Sequence, residues 1–203
     1  MQITQNYFEK YIEVWRYIFF HRLKWDPQKE KNILEIGCFE GAATCWMLKN
    51  LLKNENSNIV CVDTFEGSVE HKSMGSQFIQ SVKKRFFENI KETGRAESVR
   101  VINKVSDIAL LDLIHEDSFK FDFIYIDGSH AAEDVLSDLV LSFRLLKVNG
   151  LCICDDYTWS PDMLDYNLHQ SPKMAIDAFT SINAKKIIFI PIPNTQFAFV
   201  RKP

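Results

Sequence analysis

The fold is decided by residues 121–156, FDFIYIDGSHAAEDVLSDLVLSFRLLKVNGLCICDD. Two apolar runs in this stretch, Phe121–Ile126 and Leu151–Cys154, have the continuous hydrophobic character of parallel strands that are covered on both faces. The segment between them predicts a long helix from Ala131 to Lys147, which ends at Asn149-Gly150, a pair typical of a helix C-terminus. The stretch therefore predicts two parallel strands joined by a helix.

The same alternation of strands and helices extends in both directions from this unit. Towards the N-terminus it predicts strands at Asn32–Ile36, Asn58–Val62 and Val99–Ile102, and helices at Ala42–Asn54, Ser76–Lys91 and Ser106–His115. Ser171-Pro172 is typical of a helix start and predicts a helix to about Ile182. The closing segments, Lys186–Ile190 and Thr195–Val200, are separated by too few residues for a crossover helix, so they must pair antiparallel. The whole pattern predicts a three-layer α/β sandwich with a mostly parallel seven-stranded sheet and an antiparallel C-terminal hairpin.

The N-terminal segment predicts a helix of a different kind. From Tyr7 to Leu23 aromatic and aliphatic residues recur at three- and four-residue steps, and the helix is expected to end before Asp26-Pro27. The stripe indicates packing against the core, and a second interpretation is that it forms one wall of a ligand pocket. We name residues 1–26 the N-terminal cover and residues 30–203 the α/β core, and we expect residues 1–203 to form a single domain.

Composition limits the classes of function. The chain has 203 residues, with 24 Lys and Arg against 27 Asp and Glu, a formal charge of −3. This balance provides no electrostatic footprint for a nucleic-acid backbone, so we expect no nucleic-acid partner. No apolar stretch approaches the roughly 20 residues of a membrane span, and no secretory leader is visible. We therefore expect no membrane association.

The five cysteines form no C-x-x-C pair. We expect buried, reduced thiols, with a redox or metal-binding role as the alternative. A reducing, cytoplasmic location is the corresponding prediction.

Glycines and acidic residues follow the first two predicted strands. The segment Glu35-Ile36-Gly37-Cys38-Phe39-Glu40-Gly41 leads into a helix, where glycines allow a ligand to approach the helix N-terminus. It lacks the lysine of a phosphate-binding loop and the third glycine of a dinucleotide fingerprint. Asp63 ends the second strand, where an acid in a nucleotide-binding sheet can accept hydrogen bonds from ribose hydroxyls; a solvated or helix-capping Asp63 is the alternative. Ser106, after the third strand, either caps the next helix or faces an adenine edge.

Three further acids follow the fourth and fifth strands. Because these strands are expected to be neighbours, Asp127, Asp155 and Asp156 should converge at one sheet edge. Three clustered carboxylates repel one another, so a proton or a hard cation such as Mg²⁺ must neutralise them. His130 lies three residues past Asp127 and is a general-base candidate, with a structural or surface histidine as the alternative.

The glycine segment Glu35–Gly41, Asp63, the phrase FDFIYIDGSHAAEDVLSDL and the segment LLKVNGLCICDDY together resemble class I S-adenosylmethionine (SAM)-dependent methyltransferases. They are most similar to the small metal-dependent O-methyltransferases of the macrocin O-methyltransferase type and to cephalosporin-cluster methyltransferase-like proteins. The likeness covers roughly residues 30–200, and its most specific part is the pair IDGSH and DDY. It implies a Rossmann-like fold with SAM and Mg²⁺ (or Mn²⁺) as cofactors.

The resemblance also implies roles for individual residues. Glu35, Gly37 and Gly41 would hold the methionine portion of SAM, and Asp63 would hold its ribose. The remaining cofactor contacts would come from Ser106 and Asp127. The metal ligands would be Asp127, Asp155 and Asp156, and the catalytic residues would be His130 as base together with Asp127. Relatives with sugar substrates often carry Glu at the position of Asp155, and the shorter side chain could alter the metal position or remove this residue from direct ligation.

The expected activity is methyl transfer to a hydroxyl of a sugar or glycan, with a catechol or phenol as the alternative acceptor. Two other classes stay open: a nicotinamide-dependent oxidoreductase and a non-catalytic α/β binding module. The loop Thr64–His71 is rich in groups able to bind a polar ligand, and Trp159–Gln170 is expected to form a lid over the acceptor. Both a homodimer and membership of a longer multidomain chain are compatible with the sequence.

Overall fold

A computed structural model describes residues 1–67, 75–116, 120–159, 171–193 and 195–203. Its helices are α1 (Ile12–Arg16), α2 (Ala42–Asn50), α3 (Ser76–Glu92), α4 (Ser106–Glu116), α5 (Ala132–Leu145) and α6 (Pro172–Ile182). Its strands are β1 (Asn32–Ile36), β2 (Asn58–Val62), β3 (Val99–Ile102), β4 (Phe121–Ile126), β5 (Leu146–Cys154), β6 (Ile187–Ile190) and β7 (Phe197–Arg201). No helix within these ranges is long and apolar enough to cross a membrane.

The sheet has seven strands in the order β3-β2-β1-β4-β5-β7-β6. Strands β1 to β5 pair parallel, and β7 pairs antiparallel with both β5 and β6. Two apolar clusters cover the two faces of the sheet, one including α2 and the N-terminal cover and the other including α4, α5 and α6. The predicted three-layer α/β sandwich with its antiparallel C-terminal hairpin is confirmed.

The boundary between α5 and β5 differs from the prediction. Residues 146–150 belong to β5 and not to a helix end, because Leu146 pairs with Phe121 at the start of β4. Asn149 adopts a positive φ of 63° inside this strand, the same conformation that makes Asn-Gly typical of helix ends. Pairing with the neighbouring strand therefore overrides the local signal.

The N-terminal cover is helical over residues 9–22, with a tight turn at Glu9–Tyr11 and a wide π-helical turn at Tyr17–Arg22. Trp15 is fully buried and packs edge-on against Phe123 and Tyr125 of β4, at ring-centroid distances of 5.3 and 4.8 Å. Such pairs add about 0.5–1.5 kcal/mol each beyond the area they bury. The predicted core packing is thus confirmed for this stripe.

All five cysteines are free and buried. This agrees with the expectation of reduced thiols.

Candidate active site

The ends of β1, β2, β4 and β5 meet at one edge of the sheet. The backbone hydrogen bonds between neighbouring strands continue one residue past the strand ends. The amide of Gly37 donates to Val62 O (2.9 Å), that of Asp127 to Ile36 O (2.8 Å) and that of Asp155 to Ile126 O (2.8 Å). The turns that follow these strands therefore start side by side. The predicted cofactor and acidic residues consequently lie on one continuous edge.

Gly37 sets the spacing between two of these turns. Its φ is +82°, and a Cβ built on it would lie 1.9 Å from the carbonyl oxygen of Asp127 and 2.8 Å from Cα of Gly128. No side chain fits there, so the glycine turn and the Asp127 turn pack backbone against backbone. Gly41, also at φ +82°, is the residue that precedes α2.

Asp63 holds the glycine turn together. Its Oδ2 accepts hydrogen bonds from the amides of Cys38 (2.7 Å) and Phe39 (2.9 Å), and its Oδ1 accepts one from Phe65 (2.7 Å). A carboxylate offers about four acceptor positions, so one position on Oδ1 is left after these three bonds. The predicted ribose contact is compatible with this geometry, although the same carboxylate also has a structural role.

Glu35 lies beneath the glycine turn and is almost fully buried. Its Oε2 accepts hydrogen bonds from Thr44 Oγ1 (2.5 Å) and Cys61 Sγ (3.5 Å). Burial raises the pKa of this carboxyl group to about 8, and the nearby charge of Asp63 adds to the effect. Glu35 is therefore mainly protonated at neutral pH.

Ser106 is the first residue of α4 and lies half-buried at the same sheet edge. Its side chain faces Asp138, a buried acid on α5 whose pKa is raised to about 7 by burial. The proposed adenine contact stays a prediction.

The three predicted metal ligands have different surroundings. Among the residues that the structure describes, the only set of three or more acidic, His or Cys side chains with ligand atoms all within 4.8 Å of one another is Glu35, Cys38 and Cys61. The oxygens of Asp127, Asp155 and Asp156 thus do not all lie within 4.8 Å of one another. The three are still close enough electrostatically that burial, Asp155 and Asp156 raise the pKa of Asp127 well above its usual range.

A single tyrosine links two of the acids. The hydroxyl of Tyr125 lies 2.5 Å from Asp155 Oδ2 and 3.0 Å from Asp127 Oδ2. A hydroxyl donates only one proton, and the shorter contact assigns it to Asp155. Asp127 is left needing a proton of its own or a cation.

His130 and Asp156 form a pair next to this group. Nε2 of His130 lies 2.8 Å from Asp156 Oδ2, and both side chains are partly exposed. The ring of Trp159 packs against the imidazole at a tilt of 37°, with the ring centroids 4.2 Å apart. The backbone of Asp156 has a φ of 54°, a left-handed conformation that is uncommon for a non-glycine residue. His130 is thus oriented by a carboxylate at the rim of the acidic group.

Sequence reasoning missed three residues of the site: Tyr11, Tyr125 and Gln196. Tyr11 donates to Asp155 Oδ1 (2.8 Å), and Gln196 Nε2 donates to Asp155 Oδ2 (3.1 Å). Tyr125 had a detectable signal, because it lies in β4 two residues before Asp127, whose amide continues the hydrogen-bond ladder of β4, and alternate residues of an extended chain point to the same face. Tyr11 fits the predicted packing stripe and carried no separate signal.

Glu40 was also overlooked, although it belongs to the glycine segment. It is fully buried and accepts hydrogen bonds from Thr4 N (2.6 Å), Thr4 Oγ1 (2.6 Å) and Arg85 Nε (2.5 Å). The first residues of the N-terminal cover are thereby attached to the glycine turn.

Parts of two predicted binding segments, 68–71 and 160–170, lie outside the described residues.

Several solved structures share the fold of this chain. The fold resembles the O-methyltransferase from Bacillus cereus, whose structure is a complex with SAH, with a TM-score of 0.66 and 20% identity over 100% of this chain and 82% of that one. It also resembles MycE, a methyltransferase of the mycinamycin biosynthetic pathway, in a complex with Mg, SAH and mycinamycin VI: the TM-score is 0.62 and the identity 15% over 98% of this chain and 51% of that one. An uncharacterized protein, R132 of Acanthamoeba polyphaga mimivirus, is 22% identical over 80% of this chain and 69% of its own length.

The family assignment comes from a sequence model described as a methyltransferase domain, which matches residues 34–157. This range runs from β1 through the glycine turn and Asp63 to the end of the Asp155-Asp156 turn. The resemblance that the sequence motifs indicated is confirmed: the chain belongs to the methyltransferase domain family.

Proposed function

We propose that this protein is a SAM-dependent O-methyltransferase that methylates a hydroxyl group of a sugar or glycan, with a divalent cation and with His130 as general base. The observation that carries the proposal is the His130–Asp156 pair, with its 2.8 Å contact, next to Asp127 at the edge that also holds the glycine turn. Such a group combines a proton acceptor, clustered negative charge and a cofactor turn. The SAH-bound and Mg-bound neighbours support the same reading.

The cofactor contacts are part of the proposal, and the common sheet edge at which these residues lie supports them. Glu35, Gly37 and Gly41 are proposed to hold the methionine end of SAM, and the remaining acceptor position on Asp63 its ribose. Ser106, at the start of α4, is proposed to contact the adenine. When bound, SAM supplies an activated methyl group on a good leaving group, so the protein has mainly to align the acceptor and deprotonate it.

His130 is proposed to remove the acceptor proton. The Asp156 carboxylate, which contacts His130 Nε2, would stabilise the imidazolium that forms. Trp159 packs against the imidazole through its ring contact, and is proposed to help hold the ring in place. General-base assistance of this kind contributes typically about 10²–10⁴-fold to a rate.

Two of the three clustered acids, Asp127 and Asp156, are suited to bind a divalent cation. The Tyr125 hydroxyl is closer to Asp155 than to Asp127, and burial together with the charges of Asp155 and Asp156 raises the pKa of Asp127 well above its usual range, so a cation beside Asp127 would relieve this repulsion. Asp127 and Asp156 would hold the cation, and Mg²⁺ is commonly bound by one or two carboxylates with waters completing its shell. Such a cation would lower the pKa of an acceptor hydroxyl.

The sugar or glycan acceptor is proposed from the resemblance of the sequence motifs to macrocin-type O-methyltransferases. The test is a methyl-transfer screen with labelled SAM against deoxysugars, glycans and catechols, with and without Mg²⁺. We expect turnover of a sugar or glycan that EDTA abolishes and that Mg²⁺ or Mn²⁺ restores. Turnover of catechols alone would replace the sugar by the alternative acceptor, and turnover indifferent to EDTA would exclude the cation.

The compartment is likewise proposed. Five free, buried thiols support the expected reducing, cytoplasmic location.

A further inference from the structure

Asp155 differs from the other two acids because its acceptor capacity is full. Its side chain is buried, with 8% of the residue exposed. Four donors reach it: the Tyr11 hydroxyl (2.8 Å) and the Asp156 amide (2.8 Å) at Oδ1, and the Tyr125 hydroxyl (2.5 Å) and Gln196 Nε2 (3.1 Å) at Oδ2. A carboxylate has about four lone-pair positions, so none is left for a further partner.

The directions of these hydrogen bonds are fixed by their neighbours. The indole Nε1 of Trp15 can only donate, and it donates to Gln196 Oε1 at 2.9 Å. The amide nitrogen of Gln196 must therefore point towards Asp155. In the same way, Thr195 Oγ1 lies 2.6 Å from the Tyr11 hydroxyl and can donate to it, which leaves the Tyr11 proton for Asp155. With these directions Asp155 accepts a hydrogen bond from each of its four neighbours.

We propose that Asp155 anchors the N-terminal cover to the sheet and is not a ligand of the cation. The first part of the proposal, the anchor, does not depend on the proposed function. The second part, that Asp155 is not a cation ligand, rests on the proposed function and leaves Asp127 and Asp156 as the acids that hold the cation. To reach a cation, Asp155 would have to give up donors from the cover and from β4 and leave buried polar groups unpaired. The geometry thus departs from the three-aspartate ligand set that the sequence resemblance implies.

The anchor also reaches the proposed base. The Asp156 amide that donates to Asp155 Oδ1 belongs to the residue with left-handed backbone, and the carboxylate of that residue contacts His130. The cover is therefore connected to the turn that carries Asp156, through Tyr11 and then Asp155, and the Asp156 amide keeps its acceptor on Asp155 when the Tyr11 hydroxyl is removed.

A double-mutant cycle tests the anchor without any ligand. The variants are Tyr11→Phe, Asp155→Asn and their combination, with the urea midpoint of unfolding as the readout. We expect each single variant to lower the midpoint and the double variant to lose less than the sum of the two losses, because the Tyr11–Asp155 hydrogen bond contributes to both single-variant losses. Fully additive shifts overturn the anchor. Asp155→Ser replaces Asp155→Asn if the latter does not fold.

A matched control separates this contact from a general effect of losing a hydroxyl. Tyr17 lies in the same cover but is 59% exposed. We expect the effect of Tyr17→Phe to add to that of Asp155→Asn within error. Coupling of the same size for Tyr17 would also overturn the proposal.

Mn²⁺ binding, measured by electron paramagnetic resonance, tests the second part of the proposal, that Asp155 is not a ligand of the cation. Residues that orient a metal ligand typically contribute about 10–100-fold to metal affinity. If Asp155 were a ligand oriented by Tyr11, Tyr11→Phe would weaken Mn²⁺ binding by about that factor. We expect no weakening, whereas Asp127→Asn should lose Mn²⁺ binding. Weakening in Tyr11→Phe refutes the inference. A wild-type protein that binds no Mn²⁺ refutes the cation of the proposed function, and the anchor is then decided by the urea cycle alone.

Discussion

The buried carboxyl group of Glu35 predicts an unusual dependence of stability on pH. Its pKa in the folded protein is about 8, against an ordinary value of 4.5. Between these values the unfolded chain carries the charge and the folded chain carries a proton. Rising pH therefore favours unfolding across this window, and the loss is complete once the pH exceeds the folded pKa.

The size of the effect follows from the shift. Each pH unit within the window lowers the free energy of unfolding by about 1.4 kcal/mol. Glu35→Gln keeps the shape and has no charge to bury, so it does not suffer this loss. We expect the free energy of unfolding of the variant, relative to wild type, to rise by about 3 kcal/mol between pH 5 and pH 7.5.

The assay is urea denaturation of both proteins at several pH values, analysed with a common slope. At each pH the free energy of unfolding of wild type is subtracted from that of the variant, which cancels the contributions of the other titrating groups. Glu13→Gln, whose side chain is 83% exposed, is the matched control and should give a flat difference. A flat difference for Glu35→Gln would refute the reasoning, because it would mean that Glu35 is ionised in the folded protein.

Three further predictions concern the site. His130→Ala should lower kcat by about 10²–10⁴-fold and leave SAM affinity, measured by calorimetry, unchanged; full activity would exclude His130 as the base. Asp63→Ala should weaken SAM binding in the same assay, since it removes both the proposed ribose contact and the acceptor of two glycine-turn amides; unchanged affinity would place the ribose elsewhere. Gly37→Ala should lower the free energy of unfolding by about 3 kcal/mol or more because its Cβ would overlap the Asp127 carbonyl. Gly128→Ala, whose Cβ would meet only a methyl group of Ile36 at 3.3 Å and otherwise lie 3.8 Å or more from other atoms, should have a smaller effect, and equal losses would contradict the steric argument.

The central strands were predictable because each is a short, continuous apolar run. β1, β2, β3 and β4 have the predicted bounds. Two helix ends were less predictable: α2 ends at Asn50 and not at Asn54, and α5 gives way to β5 at Leu146. Both errors are at places where local composition continues a helix and where tertiary contacts decide otherwise.

Of the residues in the site, the sequence predicted only those at the end of a strand or in the segment that directly follows it. The acids and glycines that follow the strands were found because parallel strands bring their carboxyl ends to one edge. The four donors around Asp155 could not all be found in this way. Tyr11 is separated from Asp155 by 144 positions in the sequence, and nothing in its local pattern distinguishes it from the packing residues beside it. Such a contact exists only once the cover has folded onto the sheet.

The contact between Gly37 and the carbonyl of Asp127 has a consequence for how this enzyme family can diversify. In the proposed site, SAM would lie on the Gly37 turn and the reacting hydroxyl near the Asp127 turn. Because the two turns are in main-chain contact there, with no room for even one extra carbon, the backbone would set the distance between the methyl donor and the acceptor hydroxyl. Loops and side chains farther out can then change from one acceptor to another without altering that distance.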